Sequence, residues 1–147
     1  MPNDVNYTIY GGFRDISAFD PGIDNDTPPV EVVDLREKLA EADGIIICTP
    51  EYAFGVPGAL KNALDWTVSS GSFSGKPTAL ITASTGGENA HEALIKILGA
   101  IDAKLSPETT LLIQFVRSKM DADGNVTDAN TNQSLKALIH AFIDILT

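Results

Sequence analysis

Apolar and polar residues alternate through "VNYTIY", Val5 to Tyr10, the pattern of a half-buried or edge strand. The next run, "GGFRDISAFDPGIDNDTPP", is crowded with turn residues and closes at Pro28-Pro29, so it reads as a loop. "VEVVDLREKLAEADG" then places Val32, Leu35, Leu39 and Ala42 on one helical face. Asp34 and Lys38 form an i,i+4 pair on the outside, and Asp43-Gly44 acts as the stop. "GIIIC", Gly44 to Cys48, is apolar throughout and rich in β-branched residues, which marks a strand buried on both faces. Cys48, among Ile residues, reads as a buried core thiol.

The alternation continues to the end of the chain. "PGALKNALDWTV" predicts a helix with Pro57 in its first turn and Trp66 as a packing residue. "PTALITA" (Pro77 to Ala83) and "TLLIQFV" (Thr110 to Val116) are two more apolar strands. Between them "HEALIKILGAI" sets Leu94, Ile97, Leu98 and Ile101 on one helical face. After the turn "DADGN", with Asp128 or Thr131 as cap, a last helix carries Leu135, Leu138, Ile139, Phe142 and Leu146 on its apolar side. Strands alternating with helices predict a single α/β domain over residues 1–147, a three-layer parallel sheet. Ligands of such sheets bind beyond the carboxyl ends of the strands. Two Gly-containing loops, Pro50 to Gly58 and Ser84 to Asn89, fall there.

Composition narrows the functions. The chain has 147 residues, enough for one domain with a core. Its 20 acidic and 10 basic side chains give a net charge of −10, which argues against nucleic acid as a partner. The lone Cys48 forms no internal disulfide, and no cluster of residues suggests a metal. "DADGNVTD" resembles part of a calcium loop but lacks its distal Glu, so it reads as a turn. No apolar run is long enough to span a membrane, and no signal-peptide pattern opens the chain; a cytoplasmic protein is expected.

The two loops carry the chemistry. In "PEYAFGVPG", Tyr52 and Phe54 offer ring faces or edges, while Gly55 and Gly58 allow close backbone approach. In "STGGEN", Gly86 and Gly87 precede a helix N-terminus beside the hydroxyls of Ser84 and Thr85, a geometry suited to an anion or a carbonyl-rich ring edge. Together they suit a flat, anionic cofactor such as FMN; the alternative is two ordinary βα loops that finish the core. No G-x-S-x-G elbow supports a Ser hydrolase. His91 and His140 are expected at the surface.

"TPEYAFGVPGALKNALDW", followed by "GKPTALITASTGG", resembles the NADPH-dependent FMN reductase family of flavodoxin-like proteins. That family carries P-E-Y-[NA]-x-[GS]-[VI]-P-G-x-L-K-N-x-[LI]-D-W after its third strand and an S-x-G-G loop after its fourth. The likeness spans nearly the whole chain. It implies that Pro50, Glu51, Tyr52, Ala53, Phe54 and Gly55 line the flavin ring. Ser84, Thr85, Gly86 and Gly87 would contact its other edge, and Ala53 stands where many members have Asn. It also implies hydride transfer from NADPH to FMN and onward reduction of a flavin, quinone or other small acceptor, with no catalytic acid or nucleophile from the protein.

The front of the chain departs from the family, whose first strand ends in a G-S-x-R-x-x-S phosphate loop at the start of a helix. Gly11, Arg14 and Ser17 imitate that spacing, but Pro21 and Gly22 forbid the helix that must follow. The better register makes Val5 to Tyr10 the family's second strand, so the flavodoxin-like sheet is expected to be N-terminally truncated, lacking its first strand and helix. Since that strand is internal in the order 2-1-3-4-5, exposed edges are expected to drive homo-oligomerisation, as a dimer or tetramer. FMN is expected to bind weakly or not at all. A flavodoxin-like electron carrier, or a cofactor-free subunit acting in assembly, are the competing readings.

Overall fold

Three apolar strands lie side by side in the computed structural model, which describes residues 5–146. Ile45–Thr49 (β1), Thr78–Ala83 (β2) and Thr110–Ile113 (β3) pair in parallel in the order β1-β2-β3. The register sets Ile47 beside Leu80, and Ile81 beside Leu111. β2 has a strand on both sides and helices on both faces, which explains its near-continuous apolar sequence. Four helices fill the connections: α1 (Val30–Glu41), α2 (Gly58–Asp65), α3 (Glu88–Ala100) and α4 (Ala129–Asp144).

The twofold alternation of strand side chains divides the core into two layers. Ile47 and Leu80 face Leu64 of α2 and Leu94 and Leu98 of α3. Ala79, Ile81 and Ile113 face Leu138 and Phe142 of α4. Leu135, Ile139 and Leu146 pack there as their spacing predicts, and the Asp128 carboxylate caps α4 by accepting the Thr131 N–H at 2.8 Å. α4 ends close over β1: a Cβ on Gly44 would stand 2.6 Å from Leu146 and 2.7 Å from Phe142. A third cluster joins Val32 and Leu35 of α1 to Ala63 and Trp66 beside Ile16. Trp66 is fully buried, with its indole N–H donated to the Ser17 carbonyl at 2.8 Å and Phe19 edge-on at 5.0 Å. It is a packing residue, as expected.

Several expectations need correction. Val5 to Tyr10 is not a strand; among the described residues it pairs with no neighbour, and Tyr7 and Ile9 are exposed. Alternation alone does not make a strand, because the backbone groups need a ladder to join. Tyr10 instead packs on Phe13 and beneath Lys38. Cys48 is exposed: on that face the cluster with α4 takes in Ile46 of β1 but not Cys48. Ala42 is the extended residue that ends α1. The third strand stops at Ile113, and Val116–Lys119 turns into a short 3₁₀ segment.

Long-range polar ties hold the helices in place. Arg36 donates to the Trp66 carbonyl and to the Asp24 carboxylate, fastening the loop before α1 to the end of α2. Lys76 reaches the C-terminus of α1, where its ammonium donates to the carbonyls of Leu39 at 2.7 Å and Ala42 at 2.8 Å. A cation here satisfies carbonyls that the helix leaves free and complements its dipole. Lys76→Met keeps the stem and removes these bonds, so it is expected to cost about 1.5–3 kcal/mol in urea unfolding. A loss under about 0.5 kcal/mol, the scale of neutral surface changes, would show the contact to be passive.

Candidate functional site

Both Gly-containing loops leave the same end of the parallel sheet, because β1 and β2 run side by side and finish at adjacent residues, Thr49 and Ala83. After β1 the chain makes a two-residue turn. Tyr52 N–H donates to the Gly55 carbonyl at 3.1 Å, and Gly55 N–H returns a bond to the Tyr52 carbonyl at 3.0 Å. The central residues, Ala53 (φ 50°) and Phe54 (φ 58°), both sit in the left-handed region. Turns of this kind favour Asn and Gly, because a Cβ crowds the neighbouring carbonyl. Two rings are exposed at this turn: Tyr52 is 66% and Phe54 83% exposed. The amides of Ala53 and Phe54 have no hydrogen-bond acceptor among the described residues.

The second loop is built around Gly87. Its φ of 108° suits glycine, and a Cβ there would stand 2.9 Å from Leu112. Ser84 N–H donates to the Ile113 carbonyl at 3.0 Å, which continues the sheet for one residue beyond β2. The carbonyls of Ser84 and Thr85 accept from Val116 and Phe115, so a third loop is stitched to the second. The N–H groups of Thr85 and Gly86 are left without acceptors among the described residues.

Glu51 ties the first loop to the second. Its carboxylate accepts the Gly87 N–H at 3.2 Å and the Ala90 N–H at 2.8 Å, which sets its negative charge at the N-terminus of α3. The sequence suggested an anion site at that helix end; the protein's own carboxylate is the anion found there. His91, expected at the surface, is half-buried with its Nδ1 2.9 Å from the Thr82 hydroxyl, and burial pushes its pKa down. His140 is exposed, as expected.

The third loop escaped the sequence reading. Phe115 is left-handed (φ 52°) and 63% exposed, beside Thr85, and Gln114 donates to the Glu88 carboxylate. The polar Gln114 inside "TLLIQFV" was the available signal for an early strand end. Gly11 to Ser17, by contrast, lies against α1 and α2: Asn62 and Trp66 donate to the Ser17 carbonyl, and no α-helix starts before Val30. Its only helical turn among the described residues is the short 3₁₀ segment Gly12–Arg14, which is not followed by an α-helix. The turn at Asp121 is closed by its own carboxylate, which accepts from the Asn125 N–H at 2.8 Å. No group of three or more potential metal ligands occurs among the described residues. A cavity of about 320 Å³ between β3 and the first turn of α4 contains none of the loop residues.

The arrangement is an open shelf. It offers amides from Ala53, Phe54, Thr85 and Gly86, with the exposed rings of Tyr52, Phe54 and Phe115 beside them. Amide donors and aromatic surface suit the edge and faces of a flat heterocycle bearing carbonyl groups. They supply no cation for a phosphate, and the helix end behind them already carries the Glu51 carboxylate.

The chain is similar to known proteins in both sequence and fold. The profile of the NADPH-dependent FMN reductase family matches residues 5–117. The chain is 33% identical to a quinone reductase of Escherichia coli (strain K12), over 96% of this chain and 79% of that protein. It is also 33% identical to a 2-hydroxy-1,4-benzoquinone reductase of Burkholderia sp, with the same coverage. The solved structure of FerB, a flavoenzyme NAD(P)H:(acceptor) oxidoreductase from Paracoccus denitrificans, superposes with a TM-score of 0.78 at 29% identity. That match covers 91% of this chain and 76% of FerB.

The turn after β1 carries removable strain. Asn tolerates the left-handed region through local hydrogen bonds. Ala53→Asn is therefore expected to stabilise the protein by about 0.5–1 kcal/mol in chemical unfolding. Destabilisation instead would mean that the Ala53 side chain makes a packing contact that offsets the backbone strain.

Proposed function

The chain belongs to the NADPH-dependent FMN reductase family, and we propose that it is an FMN-dependent NAD(P)H oxidoreductase whose acceptor is a quinone, flavin or similar small molecule. The reading rests above all on the shelf at the carboxyl ends of β1 and β2, with four unpaired amides and exposed rings. It draws further support from the relatives named as quinone reductases. Bound FMN would supply the redox chemistry. The chain's own part is to receive the ring carbonyls on the amides of Ala53, Phe54, Thr85 and Gly86, and to present aromatic surface on which planar donor and acceptor can stack. Pro50, Gly55 and Ser84 shape the shelf. No side chain is assigned as acid, base or nucleophile.

The ring end of FMN fits these residues better than its phosphate. Glu51 fills the helix end of α3, and Gly11 to Ser17 faces α2. We therefore expect FMN to bind weakly to this chain alone, since a phosphate held without charge-assisted bonds loses about 1.5–3 kcal/mol for each one missing. A homo-oligomer suits the same geometry. The outer edge of β1 pairs with no strand among the described residues, and Cys48 is exposed beside it. A cytoplasmic setting suits the lone thiol, which stays reduced there.

Stopped-flow mixing of the protein with added FMN, NADPH and a benzoquinone tests the proposal. We expect NADPH oxidation that requires both protein and quinone and rises with FMN through the micromolar range. Flavin binding without NADPH oxidation would favour an electron carrier. A protein that binds no flavin at millimolar FMN would be the assembly subunit, and either result would reject the reductase reading.

A further inference from the structure

We infer that Glu51 is a positioning residue: its carboxylate fixes the Thr85–Gly86 amides against the Tyr52–Gly55 turn and closes the N-terminus of α3 to any other anion. This rests on the reading of the two loops as one ring site. The helix has no cap of its own, because Gly87 stands at the cap position and has no side chain, and neither Ser84 nor Thr85 caps it through its hydroxyl. The missing acceptor comes from 36 and 39 residues earlier in the chain, out of the first loop. Both carboxylate oxygens are used, one on Gly87 and one on Ala90, so the geometry demands two acceptors on one planar group.

The contact has consequences on both sides. On the side of the second loop, Gly87 follows directly after the two unpaired amides, so holding its N–H fixes their direction. On the side of the first loop, Glu51 immediately precedes the strained turn, whose exposed Phe54 ring has little packing of its own to hold it. Glu51 thus anchors a turn that strain would otherwise release. The negative charge also complements the positive end of the α3 dipole, a position where a phosphate would otherwise be favoured. The site accordingly selects for an uncharged ring edge at this point and against an anion.

Wild type, Glu51→Gln and Glu51→Ala, each shown folded by circular dichroism, separate this role from simple packing. Gln has one acceptor and turns an NH₂ group toward the second amide, so it is expected to fall between the other two. In the unliganded protein, hydrogen exchange at the Gly87 and Ala90 amides is expected to quicken about tenfold or more in Glu51→Ala. Sulfate, compared with chloride at equal ionic strength, is expected to raise the melting temperature of Glu51→Ala by more than its general stabilising effect on wild type. Riboflavin, which has the ring without the phosphate, is expected to bind about tenfold more weakly to Glu51→Ala than to wild type. Unaltered exchange at the two amides, equal sulfate stabilisation of wild type, or undiminished riboflavin affinity in Glu51→Ala would overturn the inference. If wild type binds no riboflavin, the ring-site reading fails, and the exchange and sulfate measurements still decide whether Glu51 seals the helix end.

Discussion

The carboxylate of Glu51 in the first turn of α3 is the contact on which the site depends. Parallel strands deliver their following loops to one end of a sheet, but adjacency alone leaves two independent loops. Here a single side chain spans them, accepting from Gly87 and Ala90. The surrounding constraints follow from it. Gly87 must be glycine, because its φ is positive and Leu112 closes the space for a Cβ. The Tyr52–Gly55 turn keeps its strained residues beside that anchor.

Among the described residues, the front of the chain is held without a strand of its own. β1 pairs only with β2, and the segment that alternates like a strand, Val5 to Tyr10, finds no ladder among the described residues. The loop behind it is nevertheless well anchored. Ser17 receives bonds from Asn62 and Trp66, and Arg36 grips Asp24. These ties use side chains of α1 and α2, so this loop's hydrogen bonding to the rest of the fold does not depend on the sheet.

Much of this was legible in the sequence because burial writes a period into it. The three buried strands, the four helices and the apolar side of α4 all emerge from spacing alone, while the structure decides for Asp128 over Thr131 as the cap. The two loops of the candidate site were read as motifs, and the structure brings them to one end of the sheet. What stayed hidden depends on three-dimensional neighbours. Val5 to Tyr10 has a strand's pattern and no partner strand. Cys48 sits in an apolar run, yet the cluster with α4 on its face does not take it in. Phe115 joins the site only because β3 ends earlier than its composition suggests. Glu51 was legible as a site residue, but its role at a helix end lying 36 residues away follows from packing, not from local sequence.

The central claim is that the amides of Ala53, Phe54, Thr85 and Gly86 form one surface for a flat ring. Backbone amide chemical shifts recorded by NMR during titration with FMN test it most directly, since even weak, fast-exchanging binding moves the resonances of the groups it touches. These four amides are expected to shift together, along a single binding curve, with little change at Leu111, Asp128 and Thr131 around the cavity beside α4. Shifts centred on that cavity, or two separate curves for the two loops, would contradict it.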